Sequence, residues 1–226
     1  KIFAKKDAAK MLEKELSKPG YRCRLIVIGG NTDGYQPSEK HLRITRSVLE
    51  VLAAFSHPVA IITKSMLVLR DLDILAPMAK EGLAAVRLSV TTLDPELAKI
   101  MEPRASSPRR RLQAIRGLKD AGVPVGVMSA PMIPFLNDAE MEGILEAAAA
   151  NGATAAGYTL VRLPHEIKDL FREWLETHAP GKAKHVLNQI RDSRGGLLYR
   201  AEWGERMRGT GVYAEILNKR FKLACK

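Results

Sequence analysis

Cysteine is nearly missing from this chain, with only Cys23 and Cys225 in 226 residues. Two thiols cannot build a disulfide framework, so a reducing cytoplasm is the expected setting. No apolar run approaches the roughly 20 residues needed to cross a bilayer, and no membrane partner is expected. A secretory leader is not expected either, because Lys1 opens a charged amphipathic segment. The five histidines show no metal-ligand spacing. Residue order alone offers no Ser-His-Asp set, and no linker or low-complexity segment divides the chain. Acidic residues are the minority charge, 25 against 36 Lys and Arg, for a formal net charge of +11. That surplus favours anionic partners such as nucleic acid, nucleotide or phosphate, although solvated basic faces produce the same count.

What is present is a regular alternation. At 46% hydrophobic and 27% charged, the composition suits one globular α/β domain with a core large enough to be stable. Ala8, Met11, Leu12 and Leu16 are spaced for a helix from about Lys5 to Leu16. The run Leu25 to Ile28 reads as a strand covered on both faces. A helix follows Pro37-Ser38, with Leu42, Val48, Leu49 and Leu52 on one side. Residues 58–65 read as a strand, and a helix covers Asp71 to Lys80. Residues 84–90 form the next strand. Asp94-Pro95 and Ser107-Pro108 each read as an N-cap with proline at the first helical position, the second helix running to about Ala121. Residues 123–130 form a strand, and Asn137 with Glu140 predicts a capping box for a helix to Ala150. Residues 154–163 are the last strand, with helices near 166–178 and 181–191.

Strands that are nearly continuously apolar and each followed by a helix predict a parallel sheet, either doubly wound or closed as a barrel. Both architectures bind ligands outside the carboxyl ends of the strands. Polar residues gather there: Asn31, Thr32 and Asp33; Thr63, Lys64 and Ser65; Ser89, Thr91 and Thr92; Ser129; and Arg162. The turn "GGNTDG" (29–34) has more polar groups than a plain turn needs, so it is read as the wall of a ligand site. The first helix has no strand before it, and a barrel wants one just upstream of Lys1.

In order along the chain, "IFAKKDAAKML", "GGNTDGYQPSEKHLRITRSVLEVL", "VAIITKSMLVLRDLDIL", "LSVTTLDPELAKIMEPRASSPRRRLQAIRGLKDAGVPVGVMSAPMIPFLND" and "RLPHEIKDLFREWL" resemble the radical S-adenosylmethionine superfamily. The branch is the one similar to spore photoproduct lyase and labelled DNA-repair photolyase-like. The resemblance implies a partial (β/α)6 TIM-like barrel, with residues 1–165 as its core and 166–226 as a helical extension packed on the same domain. It also implies a [4Fe–4S] cluster held by a three-cysteine motif, with S-adenosylmethionine on the open iron. Reductive cleavage to a 5'-deoxyadenosyl radical would follow, with flavodoxin or ferredoxin as electron donor. The cysteine motif and the first strand would lie immediately upstream of Lys1, so the sequence is read as a shortened form or as one given without its upstream segment, inactive as it stands if those cysteines are truly absent. A monomer is expected.

Carried over position by position, the resemblance implies that Gly30, Asn31, Thr32 and Asp33 serve the methionine ammonium group. An Asx turn is the equal alternative for Asp33. Lys64 resembles the lysine that holds the carboxylate, and Ser89 its hydroxyl donor. Met132 and Ile133 resemble a ledge under the adenine, or are simply core. Gly34 and Phe135 stand where relatives lead us to expect proline and glycine. Neither cysteine matches the hydrogen-donor cysteine of spore photoproduct lyase, so the substrate is open.

Two further features bear on partners. Arg109, Arg110 and Arg111 fall in the first turn of a helix, where the macrodipole disfavours cations. An anionic partner would reverse that, and Arg109, Arg110 and Arg162 are the anion or substrate candidates. Alternatively Arg111 pairs with Glu102 while its neighbours face water. The segment "RAEWGERMRGTGVYAEILNKR" is basic and aromatic, as where single-stranded nucleic acid stacks. Two rival classes are a non-catalytic nucleic-acid-binding barrel and a lyase with Lys64 as Schiff-base nucleophile.

Overall fold

The computed structural model describes residues 3–202 and 205–226. Trp203, part of the basic aromatic segment, lies outside the described residues. Five strands form one open sheet in the order β1-β2-β3-β4-β5. They are β1 (Ile26–Ile28), β2 (Val59–Thr63), β3 (Ala84–Ser89), β4 (Val125–Met132) and β5 (Ala155–Leu160). The first three pair in parallel, with Ile26 opposite Val59 and Thr63 opposite Leu88. This is the expected α/β architecture of a partial barrel, and the sheet does not close.

Helices alternate with the strands: α1 (Ala8–Leu16), α2 (Glu39–Leu42), α3 (Ile44–Ala54), α4 (Leu72–Lys80), α5 (Pro95–Met101), α6 (Pro108–Asp120), α7 (Met141–Ala150), α8 (Ile167–His178), α9 (Pro180–Asp192) and α10 (Gly211–Ala224). None of the described helices is long and apolar enough to cross a membrane. The chain divides into two compact units. One comprises Lys1–Ser89, Arg104–Val127 and Asn151–Ala155, and the other Val90–Pro103, Met128–Ala150 and Ala156–Lys226.

In the first unit, Leu49 and Leu52 of α3, Ile61 of β2, Leu75 of α4, Val86 and Leu88 of β3, and Ile115 and Leu118 of α6 are fully buried. Truncating any one of these large aliphatics to alanine costs roughly 2–5 kcal/mol. Strand β1 departs from expectation. It is not covered on both faces, since Leu25 is 59% and Val27 49% exposed. An apolar run looks the same at the edge of a sheet as at its centre, and β1 stands at the edge.

The helix expected after Pro37-Ser38 is two helices, because Arg43 between them adopts a left-handed backbone, φ 50°. Glu39 explains the break. Its Oε1 accepts from Thr45 N at 3.0 Å and Arg46 N at 3.4 Å, so a carboxylate from α2 caps the first turn of α3. The segment before α4 likewise tightens into a 3-10 turn over Met66–Asp71, begun by Leu67 N donating to Ser65 Oγ at 3.2 Å.

In the second unit, Ile133, Val161, Leu163, Leu175, Val186 and Ile190 form one buried cluster. Asp94 caps α5 as expected, accepting from Glu96 N at 2.8 Å and Leu97 N at 3.3 Å. The capping box at Asn137 does not form. Asn137 makes no cap bond, and a 3-10 turn over Asp138–Glu140 precedes α7. Both side chains of the expected box are engaged elsewhere.

Candidate functional site

The polar turn after β1 is first of all a clasp. The backbone needs glycine at Gly29, where φ is +90° and a Cβ would collide with the Ile62 carbonyl of β2. Having crossed β2 that closely, the chain places Asp33 between two strand exits. Asp33 Oδ1 accepts from Tyr35 N and from Thr63 Oγ1, both at 2.8 Å, and Oδ2 accepts from Lys64 N at 2.8 Å. The Asx-turn alternative is therefore realised, and the same carboxylate ties the exit of β1 to that of β2.

The ties continue along the rim. Thr63 Oγ1 accepts from Ser65 N at 3.0 Å, and Met66 N donates to Ser106 Oγ at 2.9 Å, joining the β2 exit to the loop before α6. Arg111 is only 1% exposed. Its Nε donates to the Ser106 carbonyl at 2.7 Å and its guanidinium to the Ser89 carbonyl at 3.0 Å, fixing that loop to the exit of β3. The register Thr63 opposite Leu88 makes Lys64 and Ser89 the next residues of neighbouring parallel strands. Asp33, Lys64 and Ser89 thus stand at consecutive strand exits of one unit. Gly30, Asn31 and Thr32 are exposed, Asp33 and Lys64 are half-buried, and Ser89 is buried.

Beside this rim lies a cleft of about 870 Å³, lined by Asp33, Lys64, Ser65, Arg70, Arg104, Ser106 and Arg110 among others. Arg109 is exposed and is not in that lining. Two of the lining residues, Tyr35 and Arg70, are anchored from behind by a charged cluster that does not itself line the cleft. Asp71, 0% exposed, accepts from Tyr35 OH at 3.0 Å, from Arg70 Nε at 2.8 Å and from Arg46 at 3.1 Å. Arg70 also donates to Glu39 Oε1 at 3.0 Å and to the Glu39 carbonyl at 2.8 Å. Burial, reinforced by the Asp71 carboxylate, pushes the Tyr35 phenol well above its usual range. The hydrogen bond to Asp71, opposed by desolvation, raises Arg70. Tyr35 is therefore a neutral hydrogen-bond donor at physiological pH and Arg70 a fixed cation. The sequence pattern singled out neither, because each draws its role from partners on other elements.

The second unit spends its polar groups differently. Asn137, 0% exposed, accepts from Ile133 N at 2.6 Å and donates to the carbonyls of Thr91 at 2.6 Å and Pro131 at 2.9 Å. Thr91 Oγ1 donates to Glu102 at 3.1 Å, and Thr92 Oγ1 to Glu140 at 2.5 Å. These exit hydroxyls, read from sequence as rim donors, are consumed by carboxylates of the same unit. Met132 and Ile133 are buried, 0% and 1% exposed, so their side chains are core. Arg162 lies over the Tyr199 ring, 6.0 Å from its centroid, and its Nε is buried without a hydrogen-bond partner.

The thiols do not fit an iron–sulfur cluster. Cys23 and Cys225 are exposed and belong to different units, and no group of three or more His, Cys, Asp or Glu among the described residues is placed to hold a metal ion.

Residues 3–148 match the family described as the Radical SAM superfamily. Among curated proteins, an uncharacterized protein of Mycobacterium tuberculosis is 32% identical over 181 residues, covering 79% of this chain and 53% of that protein. An uncharacterized protein of Methanocaldococcus jannaschii is 32% identical over 115 residues, covering 51% of this chain and 43% of that protein. The chain spans about half the length of the curated relatives it matches. Among solved structures, a spore photoproduct lyase mutant superimposes with a TM-score of 0.64 at 16% identity, covering 99% of this chain and 64% of that one. Another spore photoproduct lyase mutant, solved with AdoMet and dinucleoside spore photoproduct, gives 0.63 at 17% identity with the same coverage. At that identity the likeness is one of fold.

Proposed function

This chain belongs to the radical S-adenosylmethionine superfamily, and from that premise we propose that the exits of β1, β2 and β3 form its S-adenosylmethionine site. The observation that carries the reading is the succession Asp33, Lys64, Ser89 at consecutive parallel strand exits, linked by hydrogen bonds through Thr63, Ser106 and Arg111. The exposed Gly30–Thr32 backbone offers carbonyl acceptors to an ammonium group, and Asp33, with three of about four acceptor positions used, adds negative charge beside them. Lys64 serves as the carboxylate partner, a charge-assisted contact worth roughly 1.5–3 kcal/mol. Ser89 supplies a second donor from the next strand.

When bound, S-adenosylmethionine supplies one-electron cleavage chemistry that initiates hydrogen abstraction. The residues of this chain bind and orient it, and because the thiols do not fit a cluster no electron-transfer step is assigned to them. The Schiff-base alternative needs a desolvated lysine, whereas Lys64 is half-buried on an open cleft.

Equilibrium dialysis with labelled S-adenosylmethionine tests the reading. Saturable binding is expected, weakened at least tenfold in Lys64→Ala and unchanged in Lys80→Ala at the exposed end of α4. No saturable binding, or equal weakening in both variants, rejects it.

A further inference from the structure

The cleft carries more positive charge than the reading above employs. Five cations line it, Lys40, Lys64, Arg70, Arg104 and Arg110, against the single carboxylate of Asp33. Arg70 is already committed to Asp71 and Glu39. Lys64 and Asp33 are assigned above to the cofactor. Among the described residues, Lys40, Arg104 and Arg110 make no ion pair. S-adenosylmethionine cannot balance them, because its sulfonium and ammonium outweigh its one carboxylate.

The neutral lining points the same way. Ser106 Oγ accepts from Met66 N, and Ser65 Oγ accepts from Leu67 N, so each hydroxyl proton is left to donate. Arg110 belongs to the first turn of α6, whose unpaired backbone N–H groups give that end of the helix positive character. The lining is thus rich in donors and poor in acceptors. Its shape matters too: the volume of about 870 Å³ is that of a small-molecule cleft rather than of a stripe tracking a nucleic-acid strand.

We propose that the cleft beside Lys64 takes a small organic phosphate, with Arg104, Arg110 and Lys40 as its charge partners and the Ser65 and Ser106 hydroxyls as neutral donors. This rests on the cofactor reading only for the assignment of Lys64 and Asp33. Arginine is suited to the task, since its planar fork matches two phosphate oxygens at once.

Isothermal titration calorimetry of the intact chain with inorganic pyrophosphate tests it. Saturable binding at one site is expected, weakened roughly tenfold by Arg104→Ala and again by Arg110→Ala. Lys80→Ala should leave binding unchanged, and Arg104→Lys should keep part of it. Circular dichroism confirms that each variant is folded. Absence of saturation, or equal weakening in Lys80→Ala, overturns the proposal. So does a single-stranded oligonucleotide that binds with a steep salt dependence and is not displaced by pyrophosphate. Running S-adenosylmethionine dialysis on the same preparations separates the two readings. Cofactor binding without pyrophosphate binding sinks only this proposal, and the reverse sinks only the cofactor site.

Discussion

The two units fasten their strand exits with the same device and end in opposite electrostatic states. In the first, Asp33 joins two exits through three hydrogen bonds. In the second, Asn137 gathers three backbone groups in the same manner. There the similarity stops. Glu102 and Glu140 take up the hydroxyls of Thr91 and Thr92, so these two exit hydroxyls of the second unit are matched by acceptors. The first unit instead lines a cleft with five cations and one carboxylate. A polar residue at a strand exit is therefore not evidence of a ligand site by itself. What marks the site is charge left over, on residues lining one cleft, after the fold has been fastened.

The sharpest way to break this comparison is Asn137→Ala. Two of the three bonds are buried and the third partly so, and truncation leaves one N–H and two carbonyls without their partner. We expect a loss of about 3–4 kcal/mol, read as a lower urea midpoint. If stability barely changes, Asn137 is not the fastener of its unit and the parallel with Asp33 fails.

Asp33→Ala should cost less, about 2 kcal/mol, because the site is half-buried and water can reach the released donors. Asp33→Asn should not fully rescue it. One amide oxygen can still accept from Tyr35 N and Thr63 Oγ1, but the amide nitrogen then confronts the Lys64 N–H, donor against donor. Unchanged stability in both variants, with cofactor binding abolished, would make Asp33 a binding residue rather than a clasp.

Much of the fold was legible in the sequence because local signals and tertiary need agree. Apolar runs became strands, and Asp94 capped α5 as its position beside Pro95 indicated. The failures share a cause. Asn137 and Glu140 have capping-box spacing, yet spacing does not say whether a side chain turns to its own helix or to a neighbouring loop, and here the loops won. Asp33, Lys64 and Ser89 could be singled out because each follows an apolar run. Lys40, Arg70 and Arg104 could not, since they reach the cleft from a helix, a 3-10 turn and a loop that no periodicity connects.

A gain in stability is expected at Phe135. This exposed aromatic holds a left-handed backbone, φ 61°, which favours glycine or asparagine. Its carbonyl accepts from Lys182 Nζ at 2.9 Å, and its ring meets His185 edge-on at 6.3 Å. Phe135→Asn keeps the carbonyl contact, relieves the backbone and avoids the chain entropy of glycine, so it should stabilise by about 0.5–1 kcal/mol. A lower denaturation midpoint instead would show that the ring contact with His185 outweighs the strain.

The smallest effect concerns how the second unit closes its charge. Arg220 Nε and Nη2 donate to Glu142 at 2.7 and 2.6 Å, and that hydrogen bonding, opposed by desolvation, holds the Glu142 carboxyl below its ordinary value of 4.5. A carboxyl whose pKa is depressed in the folded state stabilises the fold above its unfolded pKa and loses that contribution as pH falls through the folded one. The pair is partly solvent-exposed, its side chains being 32% and 45% accessible, so screening limits the effect to a few tenths of a kcal/mol. Denaturation midpoints of the parent chain and Glu142→Gln should therefore differ by a constant, small amount between pH 6 and 7, and the difference should shrink as pH falls below 4.5 through the depressed folded value. High salt should narrow the gap. A difference that persists at low pH and in salt would mean that Glu142 acts through packing rather than charge.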